Sequence, residues 1–186
     1  MTFESWLGPL RERLGFVPWD ELALHEPARD YEIEANWALY CDNYLEGFHV
    51  PYVHGASLGD KLDYEGYRTE TFEWSNVQVG VAAEGQPAFD LPGGHPDEGH
   101  RIAAWYFWLF PNVMLNFYPW GLSLNVVQPL GPTRTRVLFR SYVSDPSALG
   151  RGVGGNLHRV EMEDEEIVEA TQKGVRSRLY DRGRYS

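Results

Sequence analysis

The sequence predicts one α+β domain built on an antiparallel sheet, and three observations carry that expectation. Residues 67–83, YRTETFEWSNVQVGVAA, alternate with the period of a strand. Residues 103–130 hold three short strand-like runs punctuated by Pro111, Pro119 and Gly121. Residues 156–179 then follow a long helical pattern. A helix, a run of strands and a closing helix, with no repeat and no low-complexity linker, is the order of an antiparallel α+β domain.

The remaining elements follow in chain order. Phe3, Trp6, Leu7, Leu10 and Leu14 give residues 3–14 the spacing of a short amphipathic helix. From Asp30 the pattern YEIEANWALY alternates like a strand and then changes to helical spacing. That helix is expected to run to about Phe48, because Pro51 sits poorly inside a helix. LPGGHPDEGH, residues 91–100, reads as a loop, with His95 and His100 expected in solvent or on a lid. TRVLFRSYVSD, residues 135–145, reads as the last strand.

With 186 residues and 43% hydrophobic content the chain can bury a substantial core. Seven Trp and eleven Tyr favour a sheet-rich fold with a large apolar interior or ligand cavity. A net charge of −11, without a basic run, excludes a nucleic-acid surface and disfavours anionic membranes. The single cysteine, Cys41, excludes an internal disulfide and reads as a small apolar packing residue. No apolar segment approaches the roughly 20 residues of a membrane span. The first residues, MTFESWLGPLRERLGF, lack the order of a signal peptide, so a cytoplasmic location is expected.

On the last helix, Val160, Asp164, Ile167, Val168, Thr171 and Val175 fall on one stripe, while Glu163, Glu165, Glu166, Glu169 and Lys173 point elsewhere, toward water. An ionised carboxylate on a buried stripe costs several kcal/mol unless it is paired, protonated or bound to a cation. A core salt bridge would satisfy Asp164 as well as a metal would. Residues 42–54, DNYLEGFHVPYVH, add two histidines five apart, His49 and His54, with Pro51 between them. Asp42, Glu46 and His49 recur at spacings of 4 and 3 and would share a helical face. Two imidazoles and one carboxylate form the facial triad of non-haem Fe(II) oxygenases, which leaves positions open for O2 and substrate. The pattern is not HExxH, and an H-x4-H pair by itself is a weak signal.

At these residues the chain resembles a known family. NW…DNYLEGFHVPYVH (36–54) is similar to the iron-binding signature of Rieske-type ring-hydroxylating oxygenase α subunits. EDEEIVEATQKGVRS (163–177) resembles that family's second signature, and WYFWLFPNVMLNFYPWGLSLNVVQPLGP (105–132) its FPN strand and aromatic pocket sheet. The resemblance covers residues 4–180 and implies a helix-grip fold, an antiparallel sheet wrapped on the long C-terminal helix. It implies that His49, His54 and Asp164 ligate one mononuclear Fe(II), with Asp164 and Glu46 in catalytic roles. Glu46 matches the carboxylate that links the iron site to a Rieske [2Fe–2S] cluster on a neighbouring subunit. Asp42 and Asn43 are then candidates for holding the histidine tautomers. Tyr106, Trp108, Phe110, Asn116 and Phe117 are candidates for the substrate pocket wall, although each would also suit ordinary core. An aromatic cage for a quaternary ammonium would fit the Tyr/Trp richness and acidic charge.

The family's Rieske cluster needs two cysteines and two histidines, and this chain has one cysteine. The expectation is therefore a single catalytic domain over residues 1–186, with the cluster on a missing domain or a partner protein. The implied partners are O2, a small organic substrate, and a Rieske domain or ferredoxin with its reductase, and the resemblance also implies a homotrimer. The implied outcome is mono- or dihydroxylation or oxidative demethylation. Two rivals stand beside this reading: a helix-grip protein that binds an apolar ligand without metal, and a divalent-metal hydrolase.

Overall fold

A computed structural model describes residues 2–183. Helix α1 (Phe3–Leu14) opens on a capping box in which Thr2 and Ser5 satisfy each other's backbone N–H groups. Strand β1 (Ala23–Ile33), helix α2 (Trp37–Leu45) and the short helix α3 (Val50–Val53) follow. Strands β2 (Leu62–Thr71), β3 (Ser75–Ala82), β4 (Ile102–Leu109), β5 (Val113–Tyr118), β6 (Gly121–Gly131) and β7 (Arg134–Val143) lead to helix α4 (Leu157–Gly174). The seven strands form one antiparallel sheet in the order β1-β7-β6-β5-β4-β3-β2. Among the described residues no helix is long and apolar enough to cross a membrane.

Alternation along the strands splits the core between the two faces of the sheet. Trp105, Phe107 and Phe117 point to one face, where Leu10 and Leu14 of α1 cover them. Met114, Val127 and Val137 point to the other, beneath Tyr40 and Cys41 of α2 and Val168 of α4. Burial pushes the Cys41 thiol up to about 11, in keeping with an inert packing role.

Several boundaries depart from the pattern-based reading. The run 67–83 is two strands, because the chain turns at 72–74 and the alternation resumes in β3. β1 begins seven residues earlier than Asp30, where Pro27 lies in a bulge of an edge strand, the place in a sheet that tolerates a missing N–H. His95 is neither in solvent nor on a lid. It is buried, with Nε2 2.7 Å from the Arg13 carbonyl, beside Asp97, which is fully buried between Arg13, Arg68 and Trp105. His100 is exposed.

The buried stripe of α4 is rotated by about one position from the expected one. Leu157, Val160, Glu161, Asp164, Val168 and Gln172 face inward, whereas Ile167 and Thr171 are exposed. The stripe carries acids because groups on α2 and α3 hydrogen-bond to Glu161 Oε2 and Asp164 Oδ1, a condition that hydropathy does not register.

Candidate metal centre

Helix α2 starts at Asn36, whose side chain accepts from Ala38 N–H at 2.9 Å. It stops at Leu45 rather than near Phe48. The Gln78 side chain donates to the Tyr44 carbonyl at 2.5 Å, and Glu46 is already extended at φ −112°, ψ 148°. Gly47 then passes so close to the Tyr67 ring that an added Cβ would meet it at 3.0 Å. The next turn carries His49 and His54 at the two ends of α3. Asp42, Glu46 and His49 therefore do not share an unbroken helical face. Asp42 stays exposed, with no contact to either imidazole, so it does not hold a histidine tautomer. Glu46 reaches His49 through the turn, its Oε1 2.5 Å from Nδ1.

The third group comes from α4. Asp164 Oδ1 lies 3.1 Å from His54 Nε2 and 3.4 Å from His49 Nε2, and accepts from Asn43 Nδ2 at 2.7 Å. One ligand atom from each of His49, His54 and Asp164 lies within 4.8 Å of the others. On the far side of each ring a carboxylate occupies Nδ1: Glu46 on His49, and Glu163 Oε2 on His54 at 2.8 Å. Ser57 also donates to Glu163 Oε2, at 2.6 Å.

This arrangement fits a small divalent ion. With Nδ1–H donated to a carboxylate, a neutral imidazole presents a bare Nε2 lone pair, and two such lone pairs face one carboxylate oxygen. Three acceptors pointed at one another repel unless protons or a cation lie between them. Donors about 2.1 Å from a common ion and 90° apart stand about 3.0 Å from each other, close to the separations here.

The electrostatics agree. Burial opposes a charge on His49 and on His54. Asp164 outweighs it on both, helped by Glu46 at His49 and by Glu163 at His54, and both imidazoles are raised. Burial would raise Asp164, yet His49, His54 and Asn43 hold its carboxyl below the usual value. Glu163 is likewise lowered against its burial, by His54, Ser57 and Arg159.

A cavity of about 110 Å³ opens from this centre between α2, α3, α4 and the sheet. One water needs roughly 10–15 Å³ on the same measure, so there is room for a small organic molecule. Of the expected wall residues, Tyr106 and Asn116 line it. Trp108, Phe110 and Phe117 do not. Phe117 follows Asn116 in β5, so the pleat sends it to the opposite face, where it is 1% exposed under α1. Trp108 shares Tyr106's face but lies further along β4, packed against the α2 cluster. Phe110 lies beyond the end of β4, 43% exposed between Trp74 and Trp108.

Glu163, expected to point toward water, instead turns to His54 and accepts from Ser57, while Tyr40, Tyr44, Tyr67, Tyr118 and Glu161, which the sequence pattern does not single out, line the cavity. The spacing of Tyr40 and Tyr44, one turn apart on α2, was a usable signal for the last wall of the cavity.

A seven-stranded antiparallel sheet packed against a long C-terminal helix is the fold of the ring-hydroxylating oxygenase catalytic domains. The family model for the ring hydroxylating alpha subunit (catalytic domain) matches residues 20–186, and the chain belongs to that family. It is 38% identical to the chloroplastic choline monooxygenase of Arabidopsis thaliana, across 100% of this chain and 44% of that protein. It is 28% identical to the carnitine monooxygenase oxygenase subunit of Escherichia coli K12, across 78% of this chain and 39% of that one. The crystal structure of a quaternary ammonium Rieske monooxygenase shares the fold with a TM-score of 0.73 at 22% identity, covering 97% of this chain and 48% of that one. The chain thus spans less than half the length of these relatives.

Proposed function

We propose that the chain is the oxygen-activating part of a Rieske-type monooxygenase that acts on a small quaternary ammonium compound. The observation that carries the metal assignment is the convergence of His49 Nε2 and His54 Nε2 on Asp164 Oδ1, each ring fixed from behind by a carboxylate. His49, His54 and Asp164 would hold one Fe(II), which when bound supplies the activation of O2 for oxygen insertion. Glu46 and Glu163 keep the Nδ1 protons in place, so that both Nε2 lone pairs stay available and correctly aimed. Asn43 fixes Asp164 Oδ1. The sheet and the tyrosines exclude bulk water from the substrate's side of the ligand set.

The substrate class draws on the cavity and on the relatives' names together. Tyr40, Tyr44, Tyr67, Tyr106, Tyr118 and Phe139 line the space beside the ligands. Their negative ring faces favour a methylated ammonium head. A dry apolar-ligand cavity, the rival reading, has no use for Asp164, Glu161, Asn116, Asn125 and Gln78 on its walls.

Electrons would enter from a Rieske centre on another domain or subunit. Glu46, partly exposed, links His49 to the surface where Phe48 and Tyr52 stand in solvent, and this is the side on which we place the donor. Anaerobic Fe(II) reconstitution followed by metal analysis tests the assignment: about one iron per chain is expected, and His49→Ala and Asp164→Ala should each lose it. Equal retention of iron in both variants refutes the ligand set.

A further inference from the structure

We infer that Glu161 is the specificity-determining residue of the cavity, its carboxylate acting as the counter-charge to a cationic substrate. The inference rests on the substrate class proposed above and adds the residue that reads the charge. Glu161 lies one turn before Asp164 on α4, is 3% exposed and lines the cavity. Its Oε2 accepts from Tyr40 Oη at 2.7 Å, while Oε1 has no hydrogen-bond partner among the described residues. A buried carboxylate oxygen left open in a ligand cavity is costly, and it persists where a ligand completes it.

The rest of the lining leaves this role to Glu161. Among the described residues no lysine or arginine lines the cavity, so nothing there pairs with Glu161. Of the other acids, Glu46 is engaged with His49, and Asp164 with both imidazoles and Asn43. The Tyr31, Tyr40, Asp164 and Glu165 side chains act on it electrostatically, and none supplies a positive charge. A divalent ion held by two neutral imidazoles and one carboxylate keeps a net positive charge, which repels an ammonium group in the same cavity. A second carboxylate on the cavity wall removes that repulsion. Burial first, and Asp164 next, raise the Glu161 carboxyl above the usual range, the cost that a cationic partner in the cavity would offset.

The test is isothermal titration of the Fe(II)-loaded full chain, without O2, with choline and with its uncharged isostere 3,3-dimethylbutan-1-ol. Wild type should prefer choline. Glu161→Gln keeps the size and the acceptor for Tyr40, and should weaken choline by about tenfold or more while moving the isostere less than about twofold. A residue that merely props the fold would shift both ligands together. If Glu161→Gln leaves choline within about twofold of wild type, the counter-charge role is overturned and the quaternary ammonium reading stands. If wild type itself does not prefer choline, the reading and the inference fall together. Should Glu161→Gln not fold, a crystal structure of wild type with choline decides: the nitrogen is expected about 4–6 Å from the Glu161 carboxylate, and a position beyond that overturns the role.

Discussion

His54 Nδ1 lies 2.8 Å from Glu163 Oε2, so an acid on the flank of α4 holds from behind the imidazole proposed as an iron ligand. The pair joins residues 109 apart in sequence, and Ser57 closes the arrangement by donating to the same oxygen. Glu163→Ala should therefore lower iron affinity by about ten- to a hundredfold while leaving the thermal midpoint near that of wild type. Fe(II) titration of the two proteins side by side measures it, and an unchanged affinity would show that His54 is held by other means.

Asp97 is fully buried, with Arg13 Nε 3.2 Å away and Arg68 and Trp105 also on its oxygens. Removing it leaves the Arg13 guanidinium, itself almost wholly covered, with Glu70 as its remaining carboxylate, and takes a buried partner from Arg68 and Trp105 as well. Asp97→Ala should cost about 3–5 kcal/mol in urea unfolding, with the denaturant slope unchanged. Whatever folded protein remains should still bind iron, because the cluster lies on the α1 side of the sheet.

Glu165 is half-buried, and one of its oxygens has no partner among the described residues. Burial first, and then Glu169 and Asp164, raise its carboxyl from 4.5 to about 7. Between those values the folded chain holds a proton that the unfolded chain has lost, so this group's contribution to stability falls as pH rises through the window. Glu165→Gln should flatten that dependence in the metal-free chain. At pH 8 it should melt higher than wild type, on the order of 2 °C, and at pH 4 the two should coincide.

An alanine Cβ at Gly154 would stand 2.7 Å from Tyr118 Cγ, beneath the stacked rings of Tyr118 and Trp120. The rings must move, and Tyr118 lines the cavity. Gly154→Ala should cost about 1–3 kcal/mol and weaken substrate binding, with iron stoichiometry intact. Thermal melting and ligand titration separate the two effects.

Much of this was legible in the residues. Strand alternation and the punctuation at Pro111, Pro119 and Gly121 mark β4, β5 and β6, because period two and turn chemistry are local properties. Asp164 stands out in the sequence as an acid on an apolar stripe. What stayed hidden was set by partners distant in sequence. α2 stops three residues early because Gln78, on β3, takes the Tyr44 carbonyl and Tyr67 crowds Gly47. Glu161 and Glu163 turn inward because Tyr40 and His54 await them. Naming both Asn116 and Phe117 as pocket wall overlooked the pleat, which two adjacent strand residues cannot escape.

The two histidines sit on a short, irregular turn, while the aspartate sits on an eighteen-residue helix that packs across the sheet. The proposed ion would join that four-residue turn to the long helix. Loss of that ion is expected to free residues 46–57 ahead of the sheet. Protease digestion is expected to cut there selectively in the metal-free chain and not in the Fe(II)-loaded one, which would make opening of that turn, rather than global unfolding, the step that governs metal exchange.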